Sequence, residues 1–193
     1  GKHLDIDKLQ MSCVQHWKPY MQHIHTGFTD ASVFESYIEY PTDAKLLWKS
    51  CCHVYDMIKQ GRKQAKLRAT RINHAKRKAQ WLSFAKRRKK SKRQNKKICK
   101  MLLKYLQRLI NQLTDFRETH RVALSAAQNN RLKTIEKVKE QQWKLYFGKE
   151  AKVPDRIVSL HKPYVRPIIR GKEVKPVEFG AKVNMLQVDG ISF

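Results

Sequence analysis

The chain has 193 residues, 42 Lys and Arg against 16 Asp and Glu, and a formal net charge of +26. That length allows one ordinary domain, or an elongated helical body with a smaller sheet attached, and two full domains are not expected. So large a charge repels itself unless a polyanion offsets it, which puts nucleic acid ahead of a membrane surface; no run approaches the roughly 20 apolar residues of a spanning helix. The first legible element covers residues 23–34, where aromatic and β-branched residues read as a strand running into a loop. His23 and His25 would share one face of that strand, but no third ligand stands at recognisable spacing, so both read as structural.

Tyr40-Pro41 stops the extended segment, and either Thr42 or Asp43 can cap a helix beginning at Ala44 by accepting a free first-turn amide. The pattern stays helical from about 43 to 147. Leu47, Cys51, Val54 and Ile58 make one apolar stripe, with Gly61 as a break or bend. Leu102, Leu106, Leu109, Leu113 and Phe116 recur at four, three, four and three, the seam of a helix packed on another helix. Leu132, Ile135, Val138 and Leu145 form a further stripe, and two or three long antiparallel helices are the simplest packing. Beyond Gly148, Pro154, Pro163, Pro167 and Pro176 exclude long helices, while residues 156–160 and 177–188 read as strands. Asp189-Gly190 signals a hairpin, with Ile191 starting the returning strand. Cys13, Cys51, Cys52 and Cys99 lack C-x-x-C spacing and read as reduced, buried thiols. No leader or lipidation motif is visible, so a cytoplasmic protein is expected; the start at Gly1 and the stop at Phe193 read as a piece cut from something longer.

Between Asp56 and Asp115 the chain carries no acidic residue, yet half of its Lys and Arg lie there. The densest part holds Lys86, Arg87, Arg88, Lys89, Lys90, Lys92, Arg93, Lys96 and Lys97. A charge run is usually a solvated face, but one without carboxylates gains no i,i+4 pairing and repels itself, so phosphate binding by these nine is expected. Trp81 and Phe84 could stack on bases, though as the large aromatic residues of a stretch with few apolar anchors they serve better in packing. No Walker loop, G-x-G-x-x-G or G-x-S-x-G occurs, which argues against nucleotide-driven and serine-hydrolase chemistry.

Two stretches carry a family signature. The string Asp30-Ala31-Ser32-Val33-Phe34-Glu35-Ser36-Tyr37-Ile38-Glu39-Tyr40-Pro41-Thr42-Asp43 resembles the start of the catalytic domain of DDE transposases of the insertion sequence four and five superfamily. Arg156-Ile157-Val158-Ser159-Leu160-His161-Lys162-Pro163, Arg170-Gly171-Lys172 and Val177-Glu178-Phe179-Gly180-Ala181-Lys182-Val183 look like that group's segment between its helical insertion and second strand. The resemblance implies an α/β, mostly helical chain: an incomplete ribonuclease-H-like sheet interrupted by a long basic antiparallel helical insertion. The divisions expected are residues 1–43 for the first strand segment, 44–150 for the insertion and 151–193 for the return to the sheet.

The resemblance further implies that Asp30 is the first of three metal-binding carboxylates, holding Mg²⁺ or Mn²⁺ in the complete enzyme, which cleaves phosphodiesters and transfers strands. The second Asp and the final Glu would lie beyond this chain, and one carboxylate cannot build a two-metal site. Asp189 is tempting as a second ligand but is sufficiently explained as a turn residue. Glu35 and Glu39 could assist a metal, with solvent-facing or pairing roles the commoner fate. Arg166, Arg170 and Lys172 could reach a DNA backbone or be plain loop charges. The implied partner is DNA at transposon ends, with a homodimer left open and no membrane, and the implied place is the bacterial nucleoid. A non-catalytic, basic helical nucleic-acid-binding protein is the alternative; a coiled-coil interaction protein is a third.

Overall fold

The computed structural model describes residues 5–23, 25–68, 72–148, 150, 152–169, 177–189 and 191–192; for residues 6, 30–33, 182, 183, 191 and 192 it describes the backbone alone. The chain divides into two compact units, Gly1–Tyr37 with Pro167–Phe193, and Ile38–Arg166. It is mostly helical with a small antiparallel sheet, a mixed α/β chain.

The first unit opens with a helix that the sequence pattern did not announce, α1 (Ile6–Trp17). Asp5 caps it by accepting the Lys8 amide at 3.3 Å, Asp7 lies in its first turn, and Pro19 follows in a 3-10 turn at Lys18–Tyr20. Strand β1 (Gly27–Glu35) starts later than the pattern suggested, and β2 (Arg166–Ile169), β3 (Val177–Val188) and β4 (Ile191–Ser192) follow. β1 runs antiparallel to β3 along its whole length, from Gly27 opposite Val188 to Glu35 opposite Gly180. Since β1 occupies one edge of β3, β2 and β4 pair along the other. Pro167, which has no amide to donate, sits in the outer strand β2, where such a residue is tolerated. The β3–β4 turn behaves as expected. Asp189 takes the left-handed conformation (φ 47°) such a tight turn demands, and its Oδ2 accepts the His23 amide at 2.7 Å.

The second unit holds four helices where two or three long ones were expected: α2 (Asp43–Gln64), α3 (His74–Ala85), α4 (Lys92–His120) and α5 (Ala126–Tyr146). Leu47, Cys51 and Val54 of α2 meet Leu102, Leu106, Leu109 and Leu113 of α4 in a core from which water is excluded. Each such leucine contributes about 1.5–3 kcal/mol by leaving water. Ile135 and Val138 extend the core from α5, but the next position inward is Gln142 and not Leu145, which stays half-buried. Ser91 and Ser125 start α4 and α5 with full capping boxes, pairing reciprocally with Gln94 and Gln128. Cys51 and Cys99 are buried, burial pushes the Cys99 thiol up to about 12, and all four cysteines are free.

Gly61 does not break α2; it lies inside the helix so that Phe116 of α4 can approach. A Cβ there would meet Phe116 Cε1 at 2.7 Å, and the ring is flanked by Arg62 at 5.7 Å and His120 at 5.1 Å, which leaves it little room to yield. Gly61→Ala should therefore destabilise the chain by about 1–2 kcal/mol in urea unfolding, overpacking outweighing the gain of about 1 kcal/mol in helix propensity. A rise in the unfolding midpoint would show that the ring moves aside freely.

Residues 156–160 are not a strand. They cross the helical unit as irregular chain with Ile157, Leu160 and Val165 buried, and side chains of α5 do the work of a neighbouring strand. Gln141 accepts the Ile157 amide at 3.0 Å and donates to the Asp155 carbonyl at 3.1 Å, and Arg131 donates to the Leu160 carbonyl at 2.6 Å.

Candidate nucleic-acid interface

The nine cations singled out in the sequence sit together on a helical hairpin. α3 ends at Ala85 and Lys86 caps it: the Lys86 amide still donates to the Leu82 carbonyl at 3.0 Å, and the Arg87 amide to that of Phe84 at 3.2 Å. Lys86, Arg87, Arg88, Lys89 and Lys90 form the turn; Ser91 caps the next helix; Lys92, Arg93, Lys96 and Lys97 occupy the beginning of α4. All nine are exposed, and none forms an ion pair among the described residues. Lys92 and Arg93 stand at the positive end of the α4 dipole with no acid in its first turn, each opposing the dipole by about 0.3–1 kcal/mol. The hairpin is rigid at its base and charged at its tip.

The base is an aromatic stack. His74 lies flat on Tyr55 (3.9 Å between centroids, 4° between planes) and faces Trp48 at 5.2 Å; Trp81 stacks on Trp48 at 6.1 Å and Phe84 follows at 6.2 Å. His74 Nδ1 also shares a hydrogen bond of 3.0 Å with the Tyr105 hydroxyl. Burial among these rings holds the His74 pKa below its ordinary value, so at neutral pH it adds no charge to the hairpin. Trp81 and Phe84 are thus engaged as packing anchors, and the Lys90 ammonium lies 5.6 Å from the Phe84 ring centre. The sequence reading missed two cations further along α4: Lys100 and Lys104 lie 4.7 and 5.9 Å from the Phe147 ring centre, with Trp143 stacked on that ring at 4.5 Å. Their four-residue step from Lys96 continues the basic block and could have been read as such.

The first and second stretches singled out in the sequence meet at one carboxylate. Thr42 is the cap of α2, accepting the Lys45 amide at 3.3 Å, which frees Asp43 for other work. Its carboxylate accepts from Arg156 Nη2, from Gln142 Nε2 at 3.1 Å and from the Tyr146 hydroxyl at 2.8 Å. Burial, and then the neighbouring Cys99, raise the Tyr146 pKa well above its ordinary value, so the phenol remains a donor to Asp43.

The backbone of Asp30 lies mid-strand in β1 opposite Met185, and its side chain is outside the described residues. Glu39 is taken up by Lys49 at 2.5 Å and Lys45 at 2.9 Å, whose hydrogen bonds and charges hold its pKa down to about 2; it belongs to an exposed ion cluster, and no metal role is needed to explain it. Glu35 ends β1 opposite Gly180. His23 and His25 precede β1, His23 in a turn whose carbonyl accepts the Thr26 amide, so they do not line up on a strand face. Arg166 begins β2 and is bonded to the Pro163 and Val165 carbonyls. Arg170 and Lys172 lie outside the described residues. Among the described residues no group of three His, Cys, Asp or Glu is placed to hold a metal ion, and no helix is long and apolar enough to cross a membrane. No protein-family model, curated protein or solved structure matches the chain.

Proposed function

We propose that this chain is the DNA-binding part of a DDE transposase, gripping duplex phosphates at transposon ends with the α3–α4 hairpin. The observation that carries the reading is the hairpin itself: nine exposed cations, unpaired with any described carboxylate, mounted on an aromatic base. Local energetics disfavour such a surface through mutual repulsion and the opposed helix dipole, and a polyanion relieves both. The transposase part of the reading rests on the two signature stretches, supported by their union through Asp43 and Arg156 and by the antiparallel run from β1 to β3 to β4, which suits the opening strands of a ribonuclease-H-like sheet. In a complete enzyme Asp30 would be one ligand of a two-metal site for Mg²⁺ or Mn²⁺, in which one ion would supply activation of the attacking oxygen and the other stabilisation of the leaving one. The role proposed for this chain itself is binding.

Phosphate binding of this kind is governed by counterion release. Fluorescence anisotropy with a duplex of arbitrary sequence should show affinity falling at least about a thousandfold between roughly 50 and 200 mM salt. A fall of less than about tenfold over that range would leave the hairpin without its proposed partner.

A further inference from the structure

Beyond the exposed turn, a cleft of about 560 Å³ opens between α3 and the first turns of α4, within the size range of small-molecule sites. Its walls bring together Arg87, Arg93 and Lys97, with no carboxylate among the lining residues. Gln80 and Gln94 also line it, and both have their carbonyl oxygens occupied: Gln80 Oε1 accepts from Arg77 at 2.9 Å, Gln94 Oε1 from the Ser91 amide at 3.2 Å. Each therefore has its NH₂ group left to offer. The Ser91 oxygen already accepts the Gln94 amide, so its proton too is available to donate, and Ser83 adds a second hydroxyl. The lining is thus rich in donors and carries no carboxylate. Its floor is apolar: Phe84, Ile98 and Met101.

A cationic, donor-rich rim without carboxylates selects an anion, and the apolar floor of Phe84, Ile98 and Met101 selects an apolar body joined to it, as a base is. Building on the nucleic-acid reading above, we infer that this cleft takes one unpaired nucleotide of a DNA strand, its phosphate against Arg87, Arg93 and Lys97 and its base over the floor. A duplex, whose bases are stacked inside, would touch only the rim. Arg87, Arg93 and Lys97 thereby serve two contacts, duplex phosphates along the hairpin and a single-stranded nucleotide in the cleft.

The test is calorimetric titration of the whole chain with dAMP, deoxyadenosine and inorganic phosphate at roughly 0.3 M salt, where backbone contacts are weakened. Measurable dAMP binding is expected, with deoxyadenosine and phosphate each weaker by about tenfold or more. Ser83→Trp, which fills the cleft from an exposed helix position, and Gln80→Glu, which sets an anion in it, should each weaken dAMP by about tenfold or more. Ser83→Trp should meanwhile leave duplex affinity within about threefold, since all nine cations remain. A single-stranded oligonucleotide should displace dAMP. If it does not, the strand is overturned as the source and a free nucleotide takes its place. Absence of dAMP binding, equal binding of phosphate and dAMP, or full dAMP affinity in both variants overturns the cleft while duplex binding stands. Failure of the unmodified chain to bind duplex overturns both readings.

Discussion

Replacing Arg87, Arg88, Lys89 and Lys90 together by Gln should lower the salt slope of duplex binding by about three to four and weaken binding at 0.1 M salt by about a thousandfold. The arithmetic follows from counterion release. Each phosphate no longer neutralised by the protein takes about 0.9 from the slope, and the electrostatic contribution vanishes near 1 M salt, so the variants diverge by that slope for every tenfold dilution of salt. The fold should survive, because all four residues are exposed in the turn between α3 and α4 and none forms an ion pair among the described residues; what the substitutions remove from the packing is the Lys90 ammonium over the Phe84 ring. That cation–π interaction is worth about 0.5–1 kcal/mol. Neutralising Lys144, which is partnered by Glu140 at 3.6 Å, makes a control expected to change the slope little. An unchanged slope in the fourfold variant would move the interface elsewhere, and the α4 stripe at Lys100 and Lys104 would be the next surface to neutralise.

The difference between those two surfaces shows what a one-dimensional reading reaches. Charge density and the absence of acids are properties of the string, so the basic hairpin was visible in it, as were the stripes of α2 and α4, where the inward positions other than Ser50 are apolar. The Asp189-Gly190 turn was legible for the same reason: its conformation is demanded by the residues that adopt it. Helix α1 escaped because its apolar residues make no wide stripe: Leu9 and Met11 are over half exposed, and only the Asp5 cap and Pro19 mark its ends. Residues 156–160 misled for the opposite cause. Their β-branched Ile157 and Val158 suit a strand, but Gln141 and Arg131 bond to the backbone in place of a neighbouring strand, and the segment is irregular. The cleft could not have been foreseen, since its donor-rich character depends on which amide oxygens of Gln80 and Gln94 are already occupied.

Asp43 belongs to the same class, a residue whose type suggested a helix cap and whose neighbours assign it a larger task. Asp43→Ala should destabilise the chain by about 2–4 kcal/mol, lowering Tm by on the order of 10 °C. The carboxylate is mostly buried, its side chain 19% exposed, and it is the acceptor for three donors drawn from α5 and from the returning segment. Arg156, at 39% exposure, keeps enough water to discount its share of the loss. Gln142 does not: it is 1% exposed and its Oε1 already lacks a partner, so removing Asp43 leaves the whole amide unsatisfied in the core. Asp43→Asn, which keeps an acceptor oxygen for Gln142 or Tyr146 but loses the charge facing Arg156, should cost about half as much. If both variants unfold within about 0.5 kcal/mol of the parent, the carboxylate is not what joins the start of α2 to the end of α5. If Ala is severe and Asn mild, the two signature stretches are held together chiefly by satisfied hydrogen bonds, and the ion pair with Arg156 contributes the smaller part. That clamp lies where the chain enters and leaves the helical unit, apart from the aromatic base of the α3–α4 hairpin, so its loss should show first in stability.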